Sequence, residues 1–414
     1  MKKRIIVIGG GFAGLQFVKN LKVGMFDILL IDKLNHHQFQ PLFYQVATSQ
    51  IEPSTISFPL RKIFQNRKDV RIRLAKVQSV DTEAKTVHTN GGDFPYDYLV
   101  IASGCKTNYF GNKEIKKKVF SLKTTYQAIT IRNDILENFE KILSAEGAEC
   151  EGLYNIVIVG GGATGVELAG AFAEIKRDVL PKDFFRIDFS KLQVILLEGS
   201  PNTLNNMSDY AKKVSADYLK KMGVVLKMGI FVTNYDGKVL TLSNGETLKS
   251  RNVIWAAGVT GNLIPGLPEE MVMRGNRIKV DRYNQVEGVD GVYAIGDIAF
   301  METPLYPHGH PQVANVAVNQ GKNLAKNMKA MLQGKELKEY EYKDLGSMAT
   351  IGRNKAVVDI HKLHFKGTFA WLIWMFLHLM LILSVKNKLI IFINWMVNYF
   401  SKNGSLRLIL KDDR

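Results

Sequence analysis

At 414 residues the chain exceeds one compact core, and its 46% hydrophobic, 23% charged composition suits two or three folded domains, not a fibrous or disordered chain. The formal charge of +16 asks for an anionic counterpart, yet no nucleic-acid motif or arginine-rich arm accompanies it. Two cysteines, Cys105 and Cys150, with no Cys-x-x-Cys pair, exclude a disulfide scaffold, thiol redox chemistry and ordinary zinc sites, so no metal is expected.

Taken from the N-terminus, Met1-Lys2-Lys3-Arg4 and the apolar residues 5–8 start like a secretion signal, but Gly9-Gly10-Gly11 ends the apolar run too early for one. Residues 4–8 read instead as a buried parallel strand of a cytoplasmic protein, rich in β-branched side chains. They run into Gly9-x-Gly11-x-x-Gly14, then a helix from Leu15, then a strand over 27–31 that ends at Asp32. The glycines allow a tight turn, a close pyrophosphate and close helix packing. The helix start offers free N–H groups to the anion, and the acid suits ribose hydroxyls.

The pattern returns downstream. Residues 155–159 lead into Gly160-x-Gly162-x-x-Gly165, a helix spans 166–174, and the strand 192–197 ends at Glu198. One such loop is weak evidence; two copies, each between a strand and a helix and each with its acid, indicate two dinucleotides. Glu198 can hold both hydroxyls of an adenosine ribose and repels a 2′-phosphate. No arginine follows it in residues 199–202, so NADH is expected over NADPH.

The order of the two units resembles the two-dinucleotide-binding-domain flavoprotein superfamily, with FAD on the first unit and NAD(P)H on the inserted second. Residues 96–104 resemble the strand and turn closing the first unit, 253–258 their counterpart in the second, and 292–297 the second FAD-contacting strand. The resemblance implies FAD contacts at Gly9, Gly11, Phe12, Ala13, Gly14, Asp32, Lys33, Gln45, Val77, Ala102, Gly104, Asp297 and Ala314. It implies NADH contacts at Gly160, Gly162, Gly165, Glu198, Ala257 and Gly258.

Residues 35–47, with His36, His37, Pro41 and Tyr44, are more specific and closely resemble the type II NADH dehydrogenases, single-chain NADH:quinone oxidoreductases. By that resemblance His36 to Tyr44 run along the flavin; as bare residues the two histidines read equally well as solvated loop. Glu167, just inside the second cradle's helix, reads either as a charge complementing the helix dipole or, by resemblance, as the catalytic group aiding quinone binding or proton delivery. Residues 314–320 align with the family's quinone motif, in which Asn315 and Asn319 replace glutamines and Gln320 matches. Their helix, 315–331, also reads as a plain amphipathic one.

Residues 369–385 carry no charge and have only His378 and Ser384 as polar members, a run just short of the roughly 20 residues a span needs. A second apolar run, 389–400, sets Asn387, Asn394, Asn398 and Lys402 on one face. Ile390, Ile393, Trp395 and Val397 are expected opposite them, with Trp395 and Tyr399 at a bilayer interface. The alternatives are a buried helix pair or a homodimer surface. The expected organisation is α/β: an FAD domain of 1–120 and 265–332, an NADH domain of 121–264, and a membrane-binding region of 333–414. The expected protein lies peripherally on the cytoplasmic face of an anionic membrane and reduces quinone without pumping protons, as no intramembrane carboxylates are in view. The rival readings are an NADH-binding flavoprotein sensor and a flavin reductase with another acceptor.

Overall fold

The computed structural model describes residues 2–144, 147–401 and 406–410. Lys402, placed by the sequence on the polar face of the last helix, lies outside them. The chain clusters into two compact α/β units.

The first unit comprises Met1–Gln38, Phe58–Lys106 and Val259–Asp344. Its centre is a parallel sheet in the order Val292–Ala294, Tyr98–Ile101, Arg4–Ile8, Asp27–Asp32, Val70–Leu74. Ile5, Ile6 and Val7 are fully buried, as a strand covered on both faces requires. Helix Phe12–Asn20 packs on helix Ala314–Leu332 at Gly321, where an added Cβ would stand 2.4 Å from the Ala13 carbonyl oxygen.

The second unit comprises Phe39–Ser57, Thr107–Gly258 and Leu345–Arg414. Its parallel sheet has the order Phe120–Ser121, Asn252–Trp255, Asn155–Val159, Gln193–Glu198, Val224–Met228. As in the first sheet, the strand preceding the glycine loop lies between its acid-ended successor and the closing strand. Helix Ala163–Asp178 follows the loop, longer at both ends than the sequence suggested.

An antiparallel sheet of Ser347–Gly352, Lys355–Ile360 and Leu363–Lys366, not expected from the sequence, joins this unit. Gly170 explains how it attaches: a Cβ there would meet the Ile351 carbonyl oxygen at 1.7 Å, so strand and helix touch backbone to backbone.

Helices Gly367–Leu381 and Val385–Ser401 follow, and no helix among the described residues is long and apolar enough to cross a membrane. The expected polarity of the last helix is corrected in one respect. Asn387 and Asn398 do share a face, but they turn it inward, donating to the carbonyls of Thr55 and Gln50 at 2.8 Å each. Trp395 belongs to that inward face and is only 7% exposed, while Leu389, Phe392, Ile393, Val397 and Phe400 are exposed. At 100° per residue, position 395 falls beside 387, 391 and 398, not opposite them.

Candidate active site

In the first unit Gly9 holds φ +106°, and a Cβ would stand 2.3 Å from the Ala102 oxygen; at Gly14 it would stand 2.0 Å from the Gly9 oxygen. These two glycines let loop, helix and closing strand meet. Gly11 differs: nothing lies within 4 Å of its Cβ position, and no side chain caps the helix beginning at Phe12. The result is an open, uncapped helix N-terminus, the form that receives a diphosphate. Asp32 accepts from the Gly10 N–H at 2.6 Å and the Leu34 N–H at 2.8 Å; burial pushes its acid upward and the two amides oppose that. His37, buried, donates from Nδ1 to the Gly10 oxygen at 3.0 Å, and burial drops its value to about 4, so it is neutral.

The remaining first-unit residues fall around this loop or apart from it. Ala102 and Gly104 form the closing turn, the latter at φ +66°. Asp297 lies in the turn Gly296–Ile298, and its carboxylate accepts from the Cys105 thiol at 2.9 Å. Ala314 starts its helix at the surface, Lys33 is exposed after Asp32, and Val77 opens the strand Val77–Asp81 against the unit's core. Asn315 and Asn319 meet each other, the Asn319 amide donating to Asn315 at 2.8 Å, and Asn315 also bonds the Tyr342 phenol. Gln320 turns inward instead. It is 0% exposed and accepts from the Gly296 N–H at 2.7 Å, while its Nε2 is buried without a partner. A buried amide donor left unmatched beside the open loop suits an acceptor-rich cofactor such as FAD.

The second unit repeats the device. A Cβ at Gly160 would lie 2.6 Å from Ala256, and at Gly165 1.8 Å from the Gly160 oxygen, whereas Gly162 faces open space. Glu198 accepts from the Gly161 N–H and, at 2.7 Å, from the Ser200 N–H, fixing its carboxylate at the loop's flank. Ala257 and Gly258 close this cradle, Gly258 at φ +110°.

Along helix Ala163–Asp178, Glu167, Gly170 and Glu174 lie at spacings of three and four, so they share the face that meets strand Ser347–Gly352. Glu167 accepts from the Thr350 N–H, Gly170 touches Ile351, and Glu174 accepts from the Arg353 N–H at 2.6 Å. Glu167 opens on a solvent-connected cavity of about 120 Å³ walled by Tyr44, Gln45, Phe172, Trp374 and Trp395. Burial raises its carboxyl to about 8, and the single amide from Thr350 only partly opposes the rise. Tyr44 is also pushed well above its ordinary value, by burial and then by the Glu167 charge. Gln45, expected at FAD, sits in this second unit with both ends engaged: Nε2 donates to the Tyr44 hydroxyl and Oε1 accepts from Trp395, each at 2.8 Å. Trp374 and Trp395 read in the sequence only as members of apolar runs, and Thr350, outside those runs, is not singled out.

A family model described as pyridine nucleotide-disulphide oxidoreductase matches residues 3–321, and one described as NDH2 C-terminal domain matches 345–402. The type II NADH:quinone oxidoreductase Ndh of Mycobacterium tuberculosis is 34% identical over 98% of this chain and 90% of its own length. The chain belongs to the type II NADH:quinone oxidoreductase family. The Staphylococcus aureus type II enzyme is 28% identical over 86% of this chain and 89% of its own. In fold, NDH2 from Plasmodium falciparum, solved in complex with NADH, superposes with a TM-score of 0.91 at 21% identity, covering 99% of this chain and 100% of that one. The Aquifex aeolicus sulfide:quinone oxidoreductase reaches 0.73 at 19% identity, over 96% and 95%. Neither Cys105 nor Cys150 forms a disulfide among the described residues.

Proposed function

We propose that this FAD-dependent enzyme oxidises NADH and reduces quinone, with Glu167 as the group that hands a proton to the quinone. FAD, when bound, supplies a ring that takes a hydride and passes both electrons on. Gly9, Gly11, Gly14, Asp32, Ala102, Gly104 and Asp297 hold it, with the free amide of Gln320 as a further donor. The second cradle, with Gly160, Gly162, Gly165 and Glu198, orients NADH.

One observation carries the reading: the helix whose first turn forms the NADH cradle presents, one turn on, a carboxyl raised to about 8 inside an aromatic cavity. Such an acid is protonated at neutral pH and ready to donate, whereas a carboxylate serving only the helix dipole needs no cavity. Asn315 and Asn319 are proposed quinone contacts. Their mutual hydrogen bond and the Asn315–Tyr342 bond leave the Asn319 oxygen to share with a ligand.

The exposed apolar face of helices Gly367–Leu381 and Val385–Ser401, with the chain's basic excess, supports peripheral attachment to an anionic bilayer on the side where NADH is supplied. A homodimer competes for the same surface, and vesicle flotation against sedimentation separates the two. The test of the reaction is an anaerobic titration of the flavin-loaded protein. NADH should bleach the flavin bands and quinone should restore them; flavin that stays reduced on quinone addition rejects the reading and favours a sensor.

A further inference from the structure

The cavity that receives Glu167 also contains a guanidinium that no carboxylate among the described residues meets with a hydrogen bond. Arg132, from helix Thr125–Ile142, lines it and is 3% exposed; its Nε and Nη2 are both buried and make no hydrogen bond. Elsewhere on the lining Asp178 pairs with Arg177, Arg407 pairs with Asp183, and Glu174 accepts from the Arg353 backbone N–H. Glu52 acts on Arg132 through space but accepts no hydrogen bond from it. A guanidinium withdrawn from water is strongly disfavoured unless an acceptor meets its fork of N–H groups, and a single anion does this best.

The rest of the lining fixes the remainder of such a ligand. Phe139, Trp371, Trp374 and Trp395 make the walls apolar, and the helices carrying the tryptophans expose their outer faces as a further apolar surface.

We propose that this cavity binds an anionic amphiphile, one headgroup charge on Arg132 and the acyl chain along Trp371, Trp374 and Trp395. The headgroup is a phosphodiester of a bilayer lipid or the carboxylate of a free fatty acid, which present the same chemistry to the guanidinium. The site shares its cavity with Glu167 but does not depend on turnover, so a failed quinone assay and a failed binding assay are separate results.

The chain's own tryptophans report the outcome, because bromine on an acyl chain quenches an adjacent indole. Flavin-loaded protein is titrated with dibromostearate below its micelle concentration, with its methyl ester, and with vesicles of dibrominated phosphatidylglycerol or phosphatidylcholine. Saturable quenching by the free acid identifies a carboxylate ligand, by phosphatidylglycerol a bilayer lipid, and either supports the site. Arg132→Gln should weaken that quenching about tenfold or more, and Arg132→Lys should retain most of it. Equal quenching by acid and ester overturns a carboxylate ligand on wild-type protein alone; both lipids carry the phosphodiester, so their quenching supports the site only where Arg132→Gln weakens it. Quenching unchanged in Arg132→Gln overturns the proposal.

Discussion

Trp395 donates its indole N–H to Oε1 of Gln45 at 2.8 Å, across 350 positions of sequence. Gln45 in turn donates to Tyr44, so one amide links the final helix to the wall of the Glu167 cavity. Trp395→Phe keeps the ring but removes the donor and leaves a buried oxygen unmatched, at a cost of about 1–3 kcal/mol. The expected result is a lower midpoint in chemical denaturation with an unchanged slope, and a raised KM for quinone at unchanged KM for NADH.

Glu167 sets a pH dependence whose sign follows from burial. With its carboxyl raised to about 8, it carries its proton at neutral pH and loses it as pH rises through that value. Flavin reoxidation by quinone, followed by stopped flow, should therefore be level below about 8 and fall above it. Glu167→Gln should slow this phase about 100-fold and erase its pH dependence, while leaving flavin reduction by NADH near the wild-type rate. Stability moves with it: the folded value lies above the ordinary 4.5, so the native state binds the extra proton between the two. Its stabilising contribution is complete below 4.5 and is lost as pH climbs through about 8, a slope that Glu167→Gln should flatten.

Both glycine cradles could be read in the sequence because every part of each is local: a β-branched strand, a loop, a helix and an acid at the next strand's end. Asp32 and Glu198 clamp the middle glycine of their loops by the same rule, within 22 and 37 residues. The cavity could not be read this way. Its wall is assembled from residues 44–50, 132–139, 167–180 and 350–399, and no local pattern announces Thr350 over Glu167 or Gln45 under Trp395. Gln320 looked like a ligand contact from its motif, yet its oxygen is taken by the Gly296 amide inside the unit. The side of Trp395 was a matter of helical phase. Hydropathy assigned it to the lipid face, and its indole, needing an acceptor, found one inside.

Gly170→Ala tests the backbone contact between coenzyme helix and C-terminal sheet. The added methyl would lie 1.7 Å from the Ile351 oxygen, too close for a side-chain adjustment to relieve. A loss of about 3 kcal/mol or more is expected, seen as an early thermal transition, and Gly170→Ser should behave no better.

For membrane attachment, Phe376 and Phe392 are 61% and 43% exposed on successive helices. Phe376→Glu with Phe392→Glu should lower partition onto anionic vesicles about tenfold or more, since each phenyl buried in lipid contributes about 1.5–3 kcal/mol. Flotation through a sucrose gradient measures this, and turnover with a water-soluble quinone should remain. Wild-type partition that is insensitive to salt would count against the electrostatic part.

The seam at Gly170 and Ile351 means that residues 345–401 are no detachable anchor. Strand Ser347–Gly352 flanks helix Ala163–Asp178, which follows the second glycine loop, so excising residues 345–401 would strip that helix of a packing partner and loosen the proposed NADH cradle along with the proposed lipid contact. Solubilising this enzyme by clipping its tail is thus the wrong strategy; recolouring its outer phenylalanines is the right one.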